Sequence, residues 1–342
     1  MFAPIFHAWE RRLAAVTTDR VVRPFEWGLD WVPSNGFRPG MRPAEIFDQW
    51  SASILADSQA FFSAPQTRDY TLAPDGLLRY PTALPTPHAT NNTVHARFFP
   101  ARESRWTRGR ARRAVVVLPQ WNSDPGGHVG LCELLAWFGL SALRLSLPYH
   151  DERMPPELNR ADYIVSSNIG RTLQVCRQAI LDARRAIDWL EQQGFERIGI
   201  LGTSLGSCLS MLTAAHDSRV RAAALNHVSP YFADVVWEGL STTHVRAGLD
   251  GHVDLEQLRR FWMPISPQAY LERMRNTPTL LVYAKYDLSF PLHLSRELVR
   301  DFRALNLPHH VAMLPCGHYS TGHSPFKWMD GYVLTRFLYT NL

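Results

Sequence analysis

The sequence of 342 residues lacks the long apolar segments that mark membrane and secreted proteins. No run of about 18 apolar residues occurs, so a membrane-spanning helix is not expected. The first residues do not combine a basic start with a long apolar stretch, which is the pattern of a secretory signal. These absences predict a soluble protein of the cytoplasm.

Cysteine is scarce, and the common metal and nucleotide motifs are missing. The four cysteines are far apart and include no CxxC pair, which argues against a disulfide framework or a zinc site. The sequence also lacks an HExxH motif, a phosphate-binding loop and a dinucleotide fingerprint. Metalloprotease, NTPase and Rossmann oxidoreductase activities are therefore unsupported, and we expect no metal or other cofactor.

The charge of the chain is uneven. The formal net charge is +5, and much of the excess falls between Arg97 and Arg113, where only Glu103 opposes a group of arginines. These arginines are Arg102, Arg105, Arg108, Arg110 and Arg112. A solvated loop is the interpretation we favour, with an anion-binding patch as the alternative. Because no nucleic-acid module accompanies the arginines, no nucleic-acid partner is expected.

The chain divides into two parts by pattern. Residues 1–92 are rich in large aromatic residues and in proline, so they predict an extension that packs on the core and not an independent domain. From residue 93 to 342, short apolar runs alternate with helical patterns. This alternation predicts an α/β fold with a mostly parallel central sheet and helices on both faces. Residues 229–276 have helical character without a strong strand, and predict a cap.

The most informative stretch combines a short apolar run with a Gly-x-Ser-x-Gly motif. Ile198–Leu201 has strand character, Gly202-Thr203-Ser204-Leu205-Gly206 follows, and a helical pattern begins directly afterwards. This order is typical of a nucleophile elbow, a sharp strand-to-helix turn that exposes the serine hydroxyl. Glycines at positions 202 and 206 remove side chains that would clash in so tight a bend.

A serine hydroxyl needs a histidine base that is oriented by a carboxylate. In an open α/β sheet such groups follow the carboxyl ends of strands, and Asp287 and His318 each follow a predicted strand directly. The weaker alternatives are two carboxyl groups of the presumed cap and three other histidines. They are Asp250, Asp254, His309, His310 and His323.

The chain from about residue 93 to 342 resembles the α/β-hydrolase superfamily. The matching motifs are Gly202-Thr203-Ser204-Leu205-Gly206, Tyr286-Asp287 followed by Pro291, and Gly317-His318. The resemblance implies that Ser204 is the nucleophile, His318 the general base and Asp287 the acid that orients it, in the chain order typical of this fold. The long N-terminal part also resembles the poorly characterised abhydrolase-domain proteins, which leaves the substrate open.

Two further groups of residues complete the predicted site. The oxyanion hole is expected to use the backbone N–H of Leu205 and that of Trp121, although the side chain of Asn122 is an alternative to Trp121. Tyr149, His150 and Trp237 are candidates for an apolar substrate pocket, with ordinary packing as an equal alternative.

Together these features predict a serine hydrolase that cleaves a carboxylic ester or thioester of a small molecule through an acyl-enzyme intermediate. An amidase or peptidase of the same fold is the nearest alternative. A non-catalytic binding protein that keeps the fold, and that uses the arginine-rich segment on an anionic surface, is the alternative from another class.

Overall fold

The computed structural model describes residues 2–34, 36–63, 65–102 and 112–342. Within these ranges nine strands form one sheet in the order β1-β2-β3-β5-β4-β6-β7-β8-β9. The strands are β1 (Thr71–Leu72), β2 (Leu77–Pro81), β3 (Thr93–Phe99), β4 (Arg113–Leu118), β5 (Ser141–Leu145), β6 (Arg197–Thr203), β7 (Val220–Asn226), β8 (Thr279–Ala284) and β9 (His309–Leu314). The pairs from β1 to β5 are antiparallel, and every pair from β5 to β9 is parallel.

Eleven α-helices are found in the described ranges. They are α1 (Ala3–Ala14), α2 (Pro43–Ala56), α3 (Ser58–Phe61), α4 (Val129–Trp137), α5 (Ile169–Gln192), α6 (Leu205–His216), α7 (Phe232–Glu238), α8 (Thr243–Leu249), α9 (Leu255–Phe261), α10 (Leu292–Ala304) and α11 (Phe326–Asn341).

Two apolar cores lie on opposite faces of the sheet. Alternate residues of β4 enter different cores, with Val116 in the core of α5 and α6 and Val117 in the core of α4 and α11. A strand that is covered on both faces needs apolar residues at every position, which explains the unbroken apolar run in β4. The predicted mostly parallel sheet with helices on both faces is confirmed.

Helix α5 leads the chain to the centre of the sheet. Asn168 caps its first turn by accepting a hydrogen bond from the Arg171 N–H, and Gly194 ends it with a positive φ of 79°. The chain then enters β6, which lies between β4 and β7. The residue that follows β6 is Ser204, so the predicted elbow lies at the carboxyl edge of the most central strands.

The N-terminal part contributes directly to the sheet. Strands β1 and β2 precede Thr93, so the sheet begins earlier in the chain than the sequence pattern indicated. The aromatic residues of α2 pack beside α9, with Phe47 and Trp50 buried in the same core as Phe261. These contacts provide the apolar partners that the aromatic-rich segment requires.

The chain between β7 and β8 forms a helical insertion. It contains α7, α8, α9 and a 3₁₀-helix at Pro267–Asn276. Trp262 is fully buried there and donates a hydrogen bond to the Ile169 carbonyl, 3.1 Å away, which ties the insertion to α5. No helix in the described part of the chain is long and apolar enough to span a membrane.

The arginine-rich segment is described only at its ends, because residues 103–111 lie outside the described ranges. The described arginines lie over aromatic rings. The guanidinium carbon of Arg102 is 4.5 Å from the ring centroid of Trp137, and that of Arg112 is 4.4 Å from the ring centroid of Phe195. Such stacking holds a guanidinium against the protein surface while the charge remains near water.

Candidate active site

Ser204 occupies a strained turn between β6 and α6. Its φ of 57° and ψ of −119° lie in a region that residues with a side chain rarely adopt. The Ser204 N–H donates to the Asn226 carbonyl at 2.8 Å, which extends the β6–β7 pairing by one residue. A Cβ on Gly206 would overlap the carbonyl oxygens of Leu118 and Pro119, so only glycine allows this close approach.

Asp287 and His318 come together from the ends of β8 and β9. The Nδ1 atom of His318 lies 3.1 Å from Oδ2 of Asp287. The other oxygen, Oδ1, accepts the backbone N–H groups of Ser289 at 2.8 Å and Phe290 at 2.7 Å. The carboxylate is therefore fixed by its own loop and presents one oxygen to the histidine.

A second histidine, His227, shares that oxygen and was not among the residues predicted from the sequence. Its Nδ1 lies 2.7 Å from Asp287 Oδ2, and its ring centroid is 4.3 Å from that of His318. His227 directly follows β7, whose last pair with β6 joins Asn226 to Thr203, and it has a positive φ of 57°. The site thus contains two imidazole rings bound to one carboxylate oxygen.

The electrostatics of this group have clear directions. Burial alone would raise the pKa of Asp287, but the charge of His318 and the hydrogen bonds from both rings outweigh burial and lower that pKa. Burial would likewise lower the pKa of His318, but the Asp287 charge and hydrogen bond raise it above the ordinary value, with a smaller contribution from Glu10. Burial, followed by repulsion from His318, lowers the pKa of His227.

The hydrogen-bond pattern fixes the tautomers of both rings. An ionised carboxylate only accepts hydrogen bonds, so each Nδ1 carries a proton and each neutral ring leaves Nε2 as an acceptor. Both histidines line the same cavity as Ser204. In the described ranges the Ser204 hydroxyl has no hydrogen bond to either ring.

His227, Asp287 and His318 are also the group of described residues that could hold a metal ion. A tetrahedral site with metal–nitrogen distances of about 2.0 Å separates its ligand atoms by about 3.3 Å. The distances of 2.7 and 3.1 Å from Asp287 Oδ2 to the two Nδ1 atoms are shorter, and are typical of direct hydrogen bonds. The arrangement therefore fits two Nδ1–H hydrogen bonds to the carboxylate better than a metal ion bound by the three residues.

The loop that carries His318 is held by the N-terminal helix. Glu10 of α1 is completely buried, and it accepts the N–H groups of Tyr319 at 2.8 Å and Ser320 at 2.9 Å. A Cβ on Gly317 would overlap the Glu10 side chain, so this glycine makes room for the carboxylate. The ring of Phe6 stacks on that of Tyr286, the residue before Asp287, with the two ring centroids 4.5 Å apart. Helix α1 therefore supports the loops of both Asp287 and His318.

The predicted oxyanion residues lie on either side of Ser204. Leu205 is the first residue of α6, and Trp121 lines the same two cavities as Ser204. The indole N–H of Trp121 donates to the Ala161 carbonyl at 2.8 Å, which fixes the ring as a cavity wall. The side-chain oxygen of Asn122 accepts the Ala161 N–H at 2.8 Å, so that oxygen already has a partner.

His150 contacts the loop that carries Trp121 and Asn122, and it does not line a cavity next to Ser204. Its Nδ1–H donates to the Pro148 carbonyl at 2.9 Å, and its Nε2 accepts the backbone N–H of Asn122 at 2.9 Å. Burial lowers the pKa of His150 to about 4, so the ring stays neutral and keeps this tautomer. His150 therefore positions the loop of Trp121.

The other two predicted pocket residues also lie elsewhere. Tyr149 is fully buried, and its hydroxyl lies 3.0 Å from His88 Nδ1. Trp237 lies under the guanidinium of Arg246 at 4.8 Å. None of Tyr149, His150 and Trp237 lines either of the two cavities that contact Ser204. The physical reason is that β5 ends before Tyr149, and that Trp237 is on the part of α7 turned away from Ser204.

The alternatives to Asp287 and His318 are not at the site. Asp254 caps α9 by accepting the Gln257 N–H at 2.8 Å, and Asp250 lies 3.7 Å from Arg246. The three other histidines, His309, His310 and His323, are absent from the lining of both cavities that contact Ser204.

The main cavity has a volume of about 910 Å³ and two different ends. One end is formed by the segment after α1, the loop of Trp121 and Asn122, and the insertion. The other end lies between α4 and α11 and includes Trp137 and Trp328, which are 62% and 66% exposed. A second, mostly apolar cavity of about 40 Å³ contacts Ser204 from the side of α7 and is lined by Leu205, Cys208, Val235 and Phe290.

Comparisons with known proteins identify the fold. No family model matches the sequence, and no curated protein matches it. Among solved structures, an acetyl xylan esterase from Paenibacillus sp. R4 is similar with a TM-score of 0.60 and 15% identity, over 92% of this chain and 98% of that one. An esterase from Pyrococcus furiosus is similar with a TM-score of 0.52 and 13% identity, over 81% of this chain and 96% of that one.

An acylaminoacyl peptidase from Pyrococcus horikoshii is also similar, with a TM-score of 0.60 and 14% identity over 80% of this chain. The chain spans only 42% of the length of that peptidase. At these identities the likeness establishes architecture. The protein has the α/β-hydrolase fold, as the sequence motifs predicted.

Proposed function

We propose that the protein is a serine hydrolase that cleaves a carboxylic ester or thioester through an acyl-enzyme intermediate. The observation that carries this proposal is the hydrogen bond from His318 Nδ1 to Asp287 Oδ2, beside a serine in a strained elbow on the same cavity. The fold it shares with esterases and a peptidase supports a hydrolase without selecting the substrate.

In the proposed mechanism, His318 Nε2 takes the proton of the Ser204 hydroxyl as the oxygen attacks the carbonyl carbon of the substrate. Asp287 holds the ring in the tautomer that leaves Nε2 free, and it stabilises the imidazolium that forms. The backbone N–H of Leu205, at the start of α6, and that of Trp121 donate to the developing oxyanion. His318 then protonates the leaving group and later activates water to release the acid.

The small apolar cavity favours a short acyl group. On the proposal that this cavity takes the acyl part of the substrate, its volume of about 40 Å³ next to Ser204 suits a short chain better than a long one. Acetyl and propionyl esters are therefore the expected substrates, in preference to octanoyl esters.

The test combines active-site labelling with turnover. The wild-type protein should react with a fluorophosphonate probe and hydrolyse 4-nitrophenyl acetate faster than the octanoate. Ser204→Ala should abolish labelling and lower turnover by a factor of about 10³ or more. Ser241→Ala changes another serine of the cavity wall and should retain turnover within about threefold, which controls for nonspecific effects.

Other results would contradict the proposal in different ways. A folded wild-type protein that neither labels nor turns over esters would support a non-catalytic binding protein. A matched amide cleaved faster than its ester would assign the site to an amidase or peptidase. Equal turnover by Ser204→Ala and wild type would exclude Ser204 as the nucleophile.

A further inference from the structure

Arg20 lies in the wall of the main cavity, close to the His318 loop. It follows α1 in the chain and lines the cavity together with Ser204, His318 and Tyr319. Its Nη2 donates to the Tyr319 hydroxyl at 3.0 Å. This hydrogen bond connects the guanidinium to the loop that carries His318.

The charge of Arg20 is not balanced by a carboxylate. Within the described ranges no Asp or Glu oxygen lies within 4.0 Å of its nitrogens, and its buried Nε has no hydrogen-bond partner. The neighbouring arginines differ, since Arg160 pairs with Asp19 at 3.0 Å and Arg23 pairs with Asp162 at 3.1 Å. A buried donor without a partner costs free energy unless a ligand or water completes it.

The other charged groups of the cavity wall also favour an anion. Besides Arg20, the cations are Arg102, Lys327 and Arg160, of which Arg160 is already paired with Asp19, and the carboxyl groups are Glu133 and Asp330. Burial raises the pKa of Asp330 to about 7, so this group carries only part of its negative charge near neutral pH. The cavity wall is therefore positive overall, which attracts anionic ligands.

We propose that the substrate is an ester whose alcohol part carries a carboxylate or phosphate, and that Arg20 binds this anionic group. The inference rests on the proposed hydrolase activity and names its substrate class. The anion is assigned to the alcohol part because Arg20 is hydrogen-bonded to Tyr319, the residue after the proposed general acid His318, and shares the main cavity with both residues. The small apolar cavity is then left for the acyl group. The guanidinium fork matches both anions in geometry.

Matched pairs of acetyl esters test this inference. The carboxylate pair is 4-acetoxybenzoate and 4-acetoxybenzamide, and the phosphate pair is 2-acetoxyethyl phosphate and 2-acetoxyethanol. Wild type should show a higher kcat/KM for the anion of at least one pair, and the pair with the larger ratio identifies the anion. Arg20→Met should lower kcat/KM for that anion by about 10- to 100-fold, mainly through KM, and change the neutral ester by less than about threefold.

Two further variants separate binding from structural support. Tyr319→Phe removes the hydroxyl that is hydrogen-bonded to Arg20 and should reduce the anion preference by a smaller factor. Arg246→Met removes an arginine that does not line the cavity and should change neither ester.

Three outcomes would overturn the inference. Equal kcat/KM for both members of each pair in wild type would exclude anion recognition while leaving the hydrolase proposal intact. Equal loss on anionic and neutral esters in Arg20→Met would show that Arg20 only supports the His318 loop. No turnover of any ester, with no fluorophosphonate labelling, would instead remove the hydrolase proposal and this inference with it.

Discussion

The two sides of the site are built in different ways. On one side, Ser204 is positioned by neighbouring residues of β6 and α6, and by pairing with β7. On the other side, His318 depends on Asp287 after β8, His227 after β7 and Glu10 in α1. Ser204, the proposed nucleophile, is therefore positioned by neighbouring residues of the sheet, whereas His318, the proposed base, is held by contacts from three separate parts of the chain.

This difference predicts different sensitivities. Substitutions around Ser204 should act on the stability of the sheet, because the same atoms form both the turn and the core. Substitutions around His318 should act on the position and pKa of one ring while the sheet remains folded. The following variants are ordered by the size of the effect on activity.

The largest effect is expected from Glu10→Gln. A glutamine amide can accept only one of the N–H groups of Tyr319 and Ser320 and turns a donor toward the other, so the His318 loop should shift. We expect kcat/KM to fall by about 10- to 100-fold. Because Glu10 helps to raise the pKa of His318, the acid limb of the pH–rate profile should move to lower pH.

Glu26→Gln is the matched control in the same N-terminal part. Glu26 accepts a hydrogen bond from the Asn168 amide at 2.6 Å and does not line the cavity. Its variant should keep the pH–rate profile of the wild type. An unchanged profile in Glu10→Gln as well would show that α1 does not support the base.

An intermediate effect is expected from His227→Leu. Among the described residues, removing its Nδ1–H leaves His318 as the only side-chain donor to Asp287 Oδ2, so the carboxylate should attract the His318 proton more strongly. On the proposed mechanism activity requires neutral His318, and the acid limb should therefore move to higher pH. A loss on the order of threefold to tenfold is expected at pH 6, with recovery above pH 8.

His227→Gln provides a test of the same hydrogen bond. A glutamine amide can donate to Asp287 and should restore part of the wild-type profile. If both variants lose activity equally at every pH, His227 acts on packing and not through the shared carboxylate.

The smallest effect on activity is expected from Ser207→Ala, on the nucleophile side. The Ser207 hydroxyl lies 2.7 Å from the carbonyl oxygens of both Ser204 and His227, and it is buried. Its loss should lower the free energy of unfolding by about 1–2 kcal/mol. Chemical denaturation should show this decrease, while kcat/KM changes by less than about threefold. A shifted pH–rate profile in this variant would instead show that Ser207 affects the pKa of His318.

The same contrast explains what the sequence could predict. Ser204, Asp287 and His318 were identifiable because each follows the end of its strand within four residues. His227 obeys the same rule, but Leu225 and Val228 on either side of it make the apolar pattern continue past the end of the strand. The strand ends at Asn226, so the sequence pattern did not mark this boundary and the second histidine was missed.

Other parts of the site had no local signal. Glu10 and Arg20 lie in a segment without a motif, and their partners are about 300 positions away in the sequence. The candidate pocket residues were chosen by their aromatic character, which does not distinguish a cavity wall from packing. Which side of a short helix such as α7 faces Ser204 depends on tertiary packing, and sequence periodicity over seven residues cannot determine it.

The contact between Glu10 and the His318 loop also has a consequence for the order of folding. It joins residues that are 309 and 310 positions apart in a chain of 342 residues. Closing such a contact is entropically costly until the sheet between its ends has formed, so it belongs to the late steps of folding. On the proposed mechanism, a partly folded chain would have its nucleophile in place well before it has a working base, and would stay inert toward esters until its two ends meet.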